Sequence, residues 1–293
     1  MAIYSIKDLE LLTGIKAHTI RMWERRYHIV EPARTLTNIR EYSDDDLKKL
    51  LNVSILNSCG MKISMLARMS FEELTSTVTN VVDKHKSPGL LTEQLVIAMV
   101  NFDEKTFDDI INGSITTNGF GYALEKLIFP FLDKLGMMWQ IGEIIPAHEH
   151  FASSLIRNRI LHETGMLGPN RGELPKHIFF LPEGEYHELV LMSLNYLTRA
   201  KRINTLYLGQ SVPLADIISI GKQLHPKFFI FSATFPQPHK LDQLMKELSI
   251  HFPLSTIVGG GPALDEIKRK PKTFAKLSTL DDFQSIISKL GGY

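Results

Sequence analysis

Residues 177–190 read HIFFLPEGEYHELV, and the fold of the chain turns on how this stretch is divided. The apolar run His177 to Leu181 reads as a buried strand, and Leu189 to Ala200 reads as a helix. Between them lies a polar loop, EGEYH. A histidine in such a loop stands in the crevice outside the carboxyl end of a parallel strand, where open α/β sheets take their ligands. His187 is therefore the first candidate site residue.

Strand-like runs continue beyond it at Ile203 to Leu208, Lys227 to Ser232, Ser255 to Val258 and Phe274 to Leu277, with helical segments between and after. That alternation predicts a doubly wound parallel sheet of five strands in the order 2-1-3-4-5. Three loops then share one rim: EGEYH, FSATFP at Phe231 to Pro236, and VGGGP at Val258 to Pro262. Histidine offers a neutral imidazole as ligand. Ser232 and Thr234 offer hydroxyls, and Gly259, Gly260 and Gly261 leave backbone open to a close approach. No G-x-G-x-x-G follows the first strand, so a dinucleotide fingerprint is absent.

Upstream, Glu163 to Lys176 is rich in Gly, Pro and charge and reads as a linker, as does Lys84 to Gly89, KHKSPG. Between the linkers, apolar periodicity over Leu91 to Asn101, Glu104 to Asn112, Tyr122 to Gln140 and His148 to Glu163 predicts a four-helix bundle. Trp139 closes its third helix, and His148, Glu149 and His150 open the fourth. Taken singly, the tryptophan reads as bundle core and the cluster as a solvated helix start. His148 and His150 diverge on a helix and make a poor metal pair.

At the other end, Ser5 and Asp8 have capping-box spacing, so a helix begins near Ile6 and breaks at Thr13-Gly14. A second helix follows through His18 to Tyr27, giving helix, tight turn, helix. Ile20, Trp23 and Tyr27 form its packed stripe, while His18, Arg21 and Arg25 repeat the spacing on another face. A helix with one packed and one cationic side suits the DNA major groove. RTLTNIREY, residues 34–42, fits a short hairpin wing, and Ser43 with Asp44 to Asp46 starts the next helix. Over Met1 to Tyr42 seven Lys/Arg against five Asp/Glu give only +2, so affinity rests on placement and dimerisation.

Composition limits the remaining classes. At 293 residues, with 44% hydrophobic and 22% charged residues, the chain suits two or three ordinary globular domains. No apolar run is long enough to cross a bilayer and the start is not signal-like, so the expected location is the cytoplasm. The single Cys59 permits no intrachain disulfide and reads as a small buried hydrophobe.

The stretches YSIKDLELLTGIKAHTIRMWERRY, EPART and NIREYSDDDLKKL together resemble the winged-helix domain of MerR-family regulators. That resemblance implies sequence-specific, dimeric binding to promoter DNA, with Arg21 and Arg25 in the groove, Arg40 and Tyr42 on the wing, and Lys16, His18 and Thr19 as further contacts. Trp139, nine residues, then Glu149-His150 is similar to the W-x9-EH motif of helical bundles that cap cobalamin in light-responsive members. Glu185-x-His187, Leu208-Gly209 with Pro213, Ser232-Ala233-Thr234 and Gly259-Gly260 resemble the cobalamin-binding domain shared by methionine synthases, mutases and those regulators. The implied roles are His187 as lower cobalt ligand, Glu185 as its hydrogen-bond partner, the Ser232 loop and glycines along the nucleotide tail, and Trp139, Glu149 and His150 on the upper face. Three departures stand: Gln140 where photosensing members place histidine, Val190 where the pattern has glycine, and Thr234 where it favours leucine.

The expected architecture is thus a winged helix-turn-helix at 1–75, a four-helix bundle at 90–164 and a flavodoxin-like domain at 176–293. The expected function is a non-enzymatic transcriptional regulator, a repressor, controlled by adenosyl- or methylcobalamin, and through the adenosyl form by light, as a dimer or tetramer. The competing reading is a MerR-like regulator whose cobalamin fold no longer holds cofactor and serves oligomerisation or partner binding. An enzyme would need a second substrate domain, for which no segment remains.

Overall fold

The computed structural model describes residues 4–35, 37–85, 88–140, 144–169, 174–234, 237–267 and 270–290. Contacts gather the chain into two compact units, Met1–Leu155 and Ile156–Tyr293.

In the first unit, α1 (Ile6–Thr13) starts at the expected capping box, Ser5 with Asp8, and stops at Gly14, whose φ of 70° is left-handed. The second helix, α2, runs Ala17–Tyr27 and buries Ile20 and Trp23, with Tyr27 only partly covered. Strands β1 (Ala33–Arg34) and β2 (Arg40–Glu41) pair antiparallel with Arg34 opposite Arg40, which is the expected hairpin. A second capping box, Ser43 with Asp46, opens α3 (Asp44–Ser58), whose Leu47, Leu50, Leu51 and Ile55 are buried. Cys59 caps the end of α3 as a free, half-exposed thiol, so the expectation of a buried hydrophobe is not met there. After α4 (Ile63–Leu66), α5 (Phe71–His85) packs on α3. Helix α6 starts at Pro88, a proline at a helix start where its missing N–H costs nothing. Helical structure therefore reaches into both ends of the expected linker 84–89, of which 86 and 87 lie outside the described residues.

Helices α6 (Pro88–Val100), α7 (Glu104–Asn118), α8 (Phe120–Ala123), α9 (Phe129–Gln140) and α10 (Pro146–Met166) follow. The expected third helix is one helical run in which a π-helical segment, Leu124–Ile128, joins α8 to α9. Pro130 lies just beyond it and has no N–H to give the regular ladder, a common cause of such a distortion. Phe107 meets Phe131 edge-on at 5.5 Å in the bundle core.

In the second unit β3 (His177–Phe180), β4 (Thr205–Tyr207), β5 (Phe228–Ser232), β6 (Thr256–Gly260) and β7 (Phe274–Leu277) form one parallel sheet ordered β4-β3-β5-β6-β7, the predicted 2-1-3-4-5. Helix α11 (Leu189–Ala200) occupies the residues expected of it. It packs on one face of the sheet, around Phe179, Ile230 and Val258. Helices α12 (Leu214–Leu224) and α13 (Pro238–His251) meet Ile178, Phe229 and Ile257 on the other, and α14 is Leu280–Leu290. Alternate strand residues thus feed opposite cores, as a sheet covered on both faces requires. Among the described residues no helix is long and apolar enough to cross a membrane.

Candidate functional site

The rim of the sheet is organised by Glu185. This residue is only 4% exposed. Oε1 accepts the Tyr186 N–H at 2.9 Å and the His187 N–H at 3.0 Å, and lies 2.7 Å from His187 Nδ1. Oε2 accepts the Thr234 N–H at 2.6 Å. An ionised carboxylate can only accept, so Nδ1 carries the hydrogen in this pair. The imidazole itself is outside the core: the His187 side chain is 53% exposed. A buried carboxylate orienting an exposed imidazole through Nδ1 is the usual setting of a metal-binding histidine, and a metal would be met by the other nitrogen, Nε2.

Local backbone builds this loop. Gly184, at φ 86°, turns the chain after β3 and donates its N–H to Ser211 Oγ at 3.0 Å. Ser211 N–H returns to the Glu185 carbonyl at 3.2 Å, and Val212 N–H to Leu181 at 2.9 Å, so the loops after β3 and β4 brace each other. Beside the histidine, Glu188 Oε2 accepts from Tyr207 Oη at 3.2 Å and Oε1 pairs with Arg157 Nε at 3.1 Å, close enough for an ion pair though not aligned as a hydrogen bond. Burial first, then Glu188, pushes the Tyr207 phenol well above its ordinary pKa.

The other two rim loops behave differently from each other. Ser232 is buried and its Oγ has no hydrogen-bond partner among the described residues. An orphaned hydroxyl inside a ligand crevice is a place for a ligand's polar atom. Thr234 contributes its backbone N–H to Glu185, while its side chain is exposed. At Gly259 an added Cβ would lie 2.8 Å from Phe274 and 2.9 Å from both Leu264 and Phe231, so the missing side chain there is already filled by the protein's own core. Gly261 has φ 103° and would place a Cβ 2.3 Å from the Ala233 carbonyl oxygen, which makes it the backbone-critical glycine of the loop. The Gly260 carbonyl accepts the Ala233 N–H at 2.9 Å. Val190 sits in the first turn of α11, 43% exposed, and so fills no packed space within its own unit. Phe235 and Pro236 lie outside the described residues.

In the first unit Trp139, at the end of α9, is 50% exposed and is therefore not bundle core. Glu149 and His150 stand in the first turn of α10, with His150 Nδ1 2.6 Å from Glu149 Oε2. The side chain of Gln140 lies outside the described residues. His148, one residue earlier, turns inward instead. Its ring lies 4.8 Å from that of Phe102, and its buried Nδ1 has no hydrogen bond among the described residues. Burial lowers its pKa, with Lys48 of α3 in the same direction and Asp44 opposing.

On α2, His18, Arg21 and Arg25 are exposed together, Thr19 is half-buried, and Lys16 is exposed while pairing with Glu10 at 3.0 Å. The wing corrects the expectation for Tyr42: it is 1% exposed, held by backbone bonds to Tyr4, and cannot meet a duplex. Its phenol donates to Glu24 Oε2 at 3.3 Å, and burial foremost pushes its pKa up to about 12. Arg40, expected on the same contact surface, is committed to the same carboxylate: its Nε donates to Glu24 Oε1 at 3.1 Å and Oε2 at 3.0 Å. That hydrogen bond raises the pKa of Arg40. The exposed wing cation is Arg34, whose Nη1 donates to Asn38 Oδ1 at 2.6 Å. Strand alternation could not find it, because Arg34 and Arg40 occupy directly opposed positions and only the location of Glu24 tells them apart.

The requirements of cobalamin can be set against these residues. Among the described residues no group of three or more His, Cys, Asp or Glu side chains could hold a metal ion. A single oriented imidazole suits a metal that arrives with its own equatorial ligands, as in a corrin. The Glu185-held ring and the orphaned Ser232 hydroxyl are the donor set such a group needs, and the residues fit.

Two family models match within the first 162 residues of the chain. Residues 4–70 match the model of the MerR HTH family regulatory protein, and residues 91–162 match that of a B12 binding domain. Matches to both models thus lie in one chain, one after the other. It is 28% identical over 233 residues to the HTH-type transcriptional repressor CarH of Myxococcus xanthus, covering 77% of each chain. To the repressor CarA of the same organism it is 23% identical over 267 residues, covering 90% of this chain and 88% of that one. The monomethylamine corrinoid protein of Methanosarcina barkeri shares its fold, with a TM-score of 0.55 at 16% identity over 69% of this chain and all of that one.

Proposed function

We propose that this chain is a transcriptional repressor that binds promoter DNA through α2 and its wing and whose binding is set by cobalamin, with no turnover of its own. The observation that carries the reading is the pairing, in one chain, of an exposed cationic face on α2 with an imidazole held outward by a buried glutamate at the rim of a 2-1-3-4-5 sheet. Two relatives named as repressors support the first half, and the B12 binding domain match supports the second.

His187 is the proposed lower ligand of cobalt, Glu185 orients it, and Ser232, Thr234 and Gly260 border the nucleotide tail, while Gly259 serves the packing beneath them. Trp139, Glu149 and His150 are proposed as further cobalamin contacts: a half-exposed indole offers the apolar surface, and the adjacent pair the polar atoms. When bound, cobalamin supplies a cobalt centre whose upper alkyl group, adenosyl or methyl, differs between forms. Lys16, His18, Thr19, Arg21 and Arg25 are the proposed DNA contacts of α2, to which the wing adds Arg34. A dimer or tetramer in the cytoplasm completes the proposal, since doubling the half-sites doubles the phosphate contacts of a weakly basic head.

Two measurements test it. Protein mixed with adenosylcobalamin and desalted should retain the cofactor's visible absorption, and His187→Ala should release it. Gel shifts of promoter DNA with and without cofactor, in darkness and after illumination, should differ. A colourless desalted protein overturns the cofactor half. Identical shifts in every state leave the α/β domain as an oligomerisation module.

A further inference from the structure

The wing carries two arginines directly opposite one another, Arg34 on β1 and Arg40 on β2. Opposed residues of an antiparallel pair share a face, and like charges there repel. Only one of the two points to solvent. Glu24, on α2 between Trp23 and Arg25, takes the other through both carboxylate oxygens and takes the Tyr42 hydroxyl as well. Residues 40 and 42 are alternate positions of one extended segment, so a single carboxylate grips the same face of that segment twice. The base of this segment is fixed independently, by the paired Tyr4 and Tyr42 backbones and by the Tyr4 hydroxyl on Asp44 at 2.8 Å.

We infer that Glu24 is a positioning residue for DNA binding: it clamps the wing to the recognition helix and neutralises Arg40, so that Arg34 meets the same duplex as Arg21 and Arg25. This rests on the DNA-binding reading above and assigns to Arg40 and Tyr42 an indirect part in it. Glu24 itself needs no contact with DNA. A carboxylate aimed at a phosphate would weaken binding, whereas one spent on Arg40 costs nothing at the interface.

The test is a double-mutant cycle between two residues that do not touch. The wild-type chain first selects a duplex from a randomised DNA library, and affinities are then measured on it across a salt series. Arg34→Ala in the wild type should weaken binding roughly tenfold and reduce the salt slope by about 1 per wing. In Glu24→Ala the wing is released, and Arg34→Ala should then cost less than twofold with no further change of slope. Glu24→Gln keeps an oxygen that accepts from Arg40 and Tyr42 and should restore most of the coupling. If Glu24→Ala fails to fold by circular dichroism, the cycle is run with Arg40→Met, which keeps the aliphatic stem and removes the guanidinium. An Arg34→Ala cost that is the same in both backgrounds overturns the inference alone. Failure of the wild type to select any duplex overturns the DNA-binding reading and this inference with it.

Discussion

Two glutamates do opposite things with the same chemistry. Glu185 is buried and holds an imidazole outward, where a ligand can reach it. Glu24 is largely covered and draws a guanidinium and a phenol inward, away from any ligand. In each case a carboxylate with little solvent must collect donors, because a buried charge without partners is expensive. What differs is which partner has a covalent reason to stay at the surface: His187 follows a tight turn at the end of a strand, whereas Tyr42 lies on the floor of a small helical core. The presence of a suitable residue type therefore says less than the direction in which its carboxylate pulls it.

The largest effect expected from disturbing this contrast comes through the backbone beneath Glu185. Gly261→Ala forces a Cβ to within 2.3 Å of the Ala233 carbonyl at a positive φ, and relief requires moving the loop that gives Thr234 N–H to Glu185. A loss of about 3 kcal/mol or more in chemical denaturation is expected, together with loss of cofactor retention. Unchanged stability would mean that the loop gives way freely and that Glu185 does not depend on it.

Next in size is Glu185→Gln, which keeps the shape while an amide replaces one accepting oxygen. Cofactor affinity should fall roughly 10- to 100-fold, the usual cost of removing a partner of a ligating histidine. DNA binding in the absence of cofactor should be unaffected. At the other carboxylate, Glu24→Ala should spare cofactor retention and damage DNA binding, and a variant that damaged both would end the contrast.

The smallest effect is on stability against pH. His148 and His177 are both lowered by burial from an ordinary 6.5. His177 stacks on Phe228 at 5.1 Å, and although the Asn204 backbone lies near its ring, no hydrogen bond of acceptable geometry forms, so burial prevails. The sign follows from which state binds protons first. Above about pH 6.5 both states are neutral and the stability is fully present. As pH falls, the unfolded chain protonates before the folded one, and stability is lost toward the depressed folded pKa values. Melting temperatures should decline between pH 7 and 5.5, and more gently in His177→Phe. A decline identical in the variant would remove His177 as a cause.

The opening stretch shows why so much could be read in advance. A four-residue apolar strand, a polar loop and a helix beginning at Leu189 are local patterns, and five repeats of strand and helix admit few sheet orders. The capping box at Ser5, the helix start at Ser43 and the face of α2 bearing Arg21 and Arg25 were legible for the same reason, since they depend on residues three or four apart. Gly259 and Gly261 were not distinguishable by any such rule. One is required by three side chains, from β5, from the 3-10 turn Pro262–Glu266 and from β7, and the other by a carbonyl from the neighbouring loop.

Sequence by itself determined most of the elements and the sheet order, and it nominated candidates for a cofactor and a duplex, because periodicity, caps and turn chemistry are properties of short segments. Tertiary structure decided which of those residues face outward. His187 and Arg34 are presented and Tyr42 is enclosed because buried carboxylates and packed aromatics, brought together from distant parts of the chain, leave each side chain a single place to go.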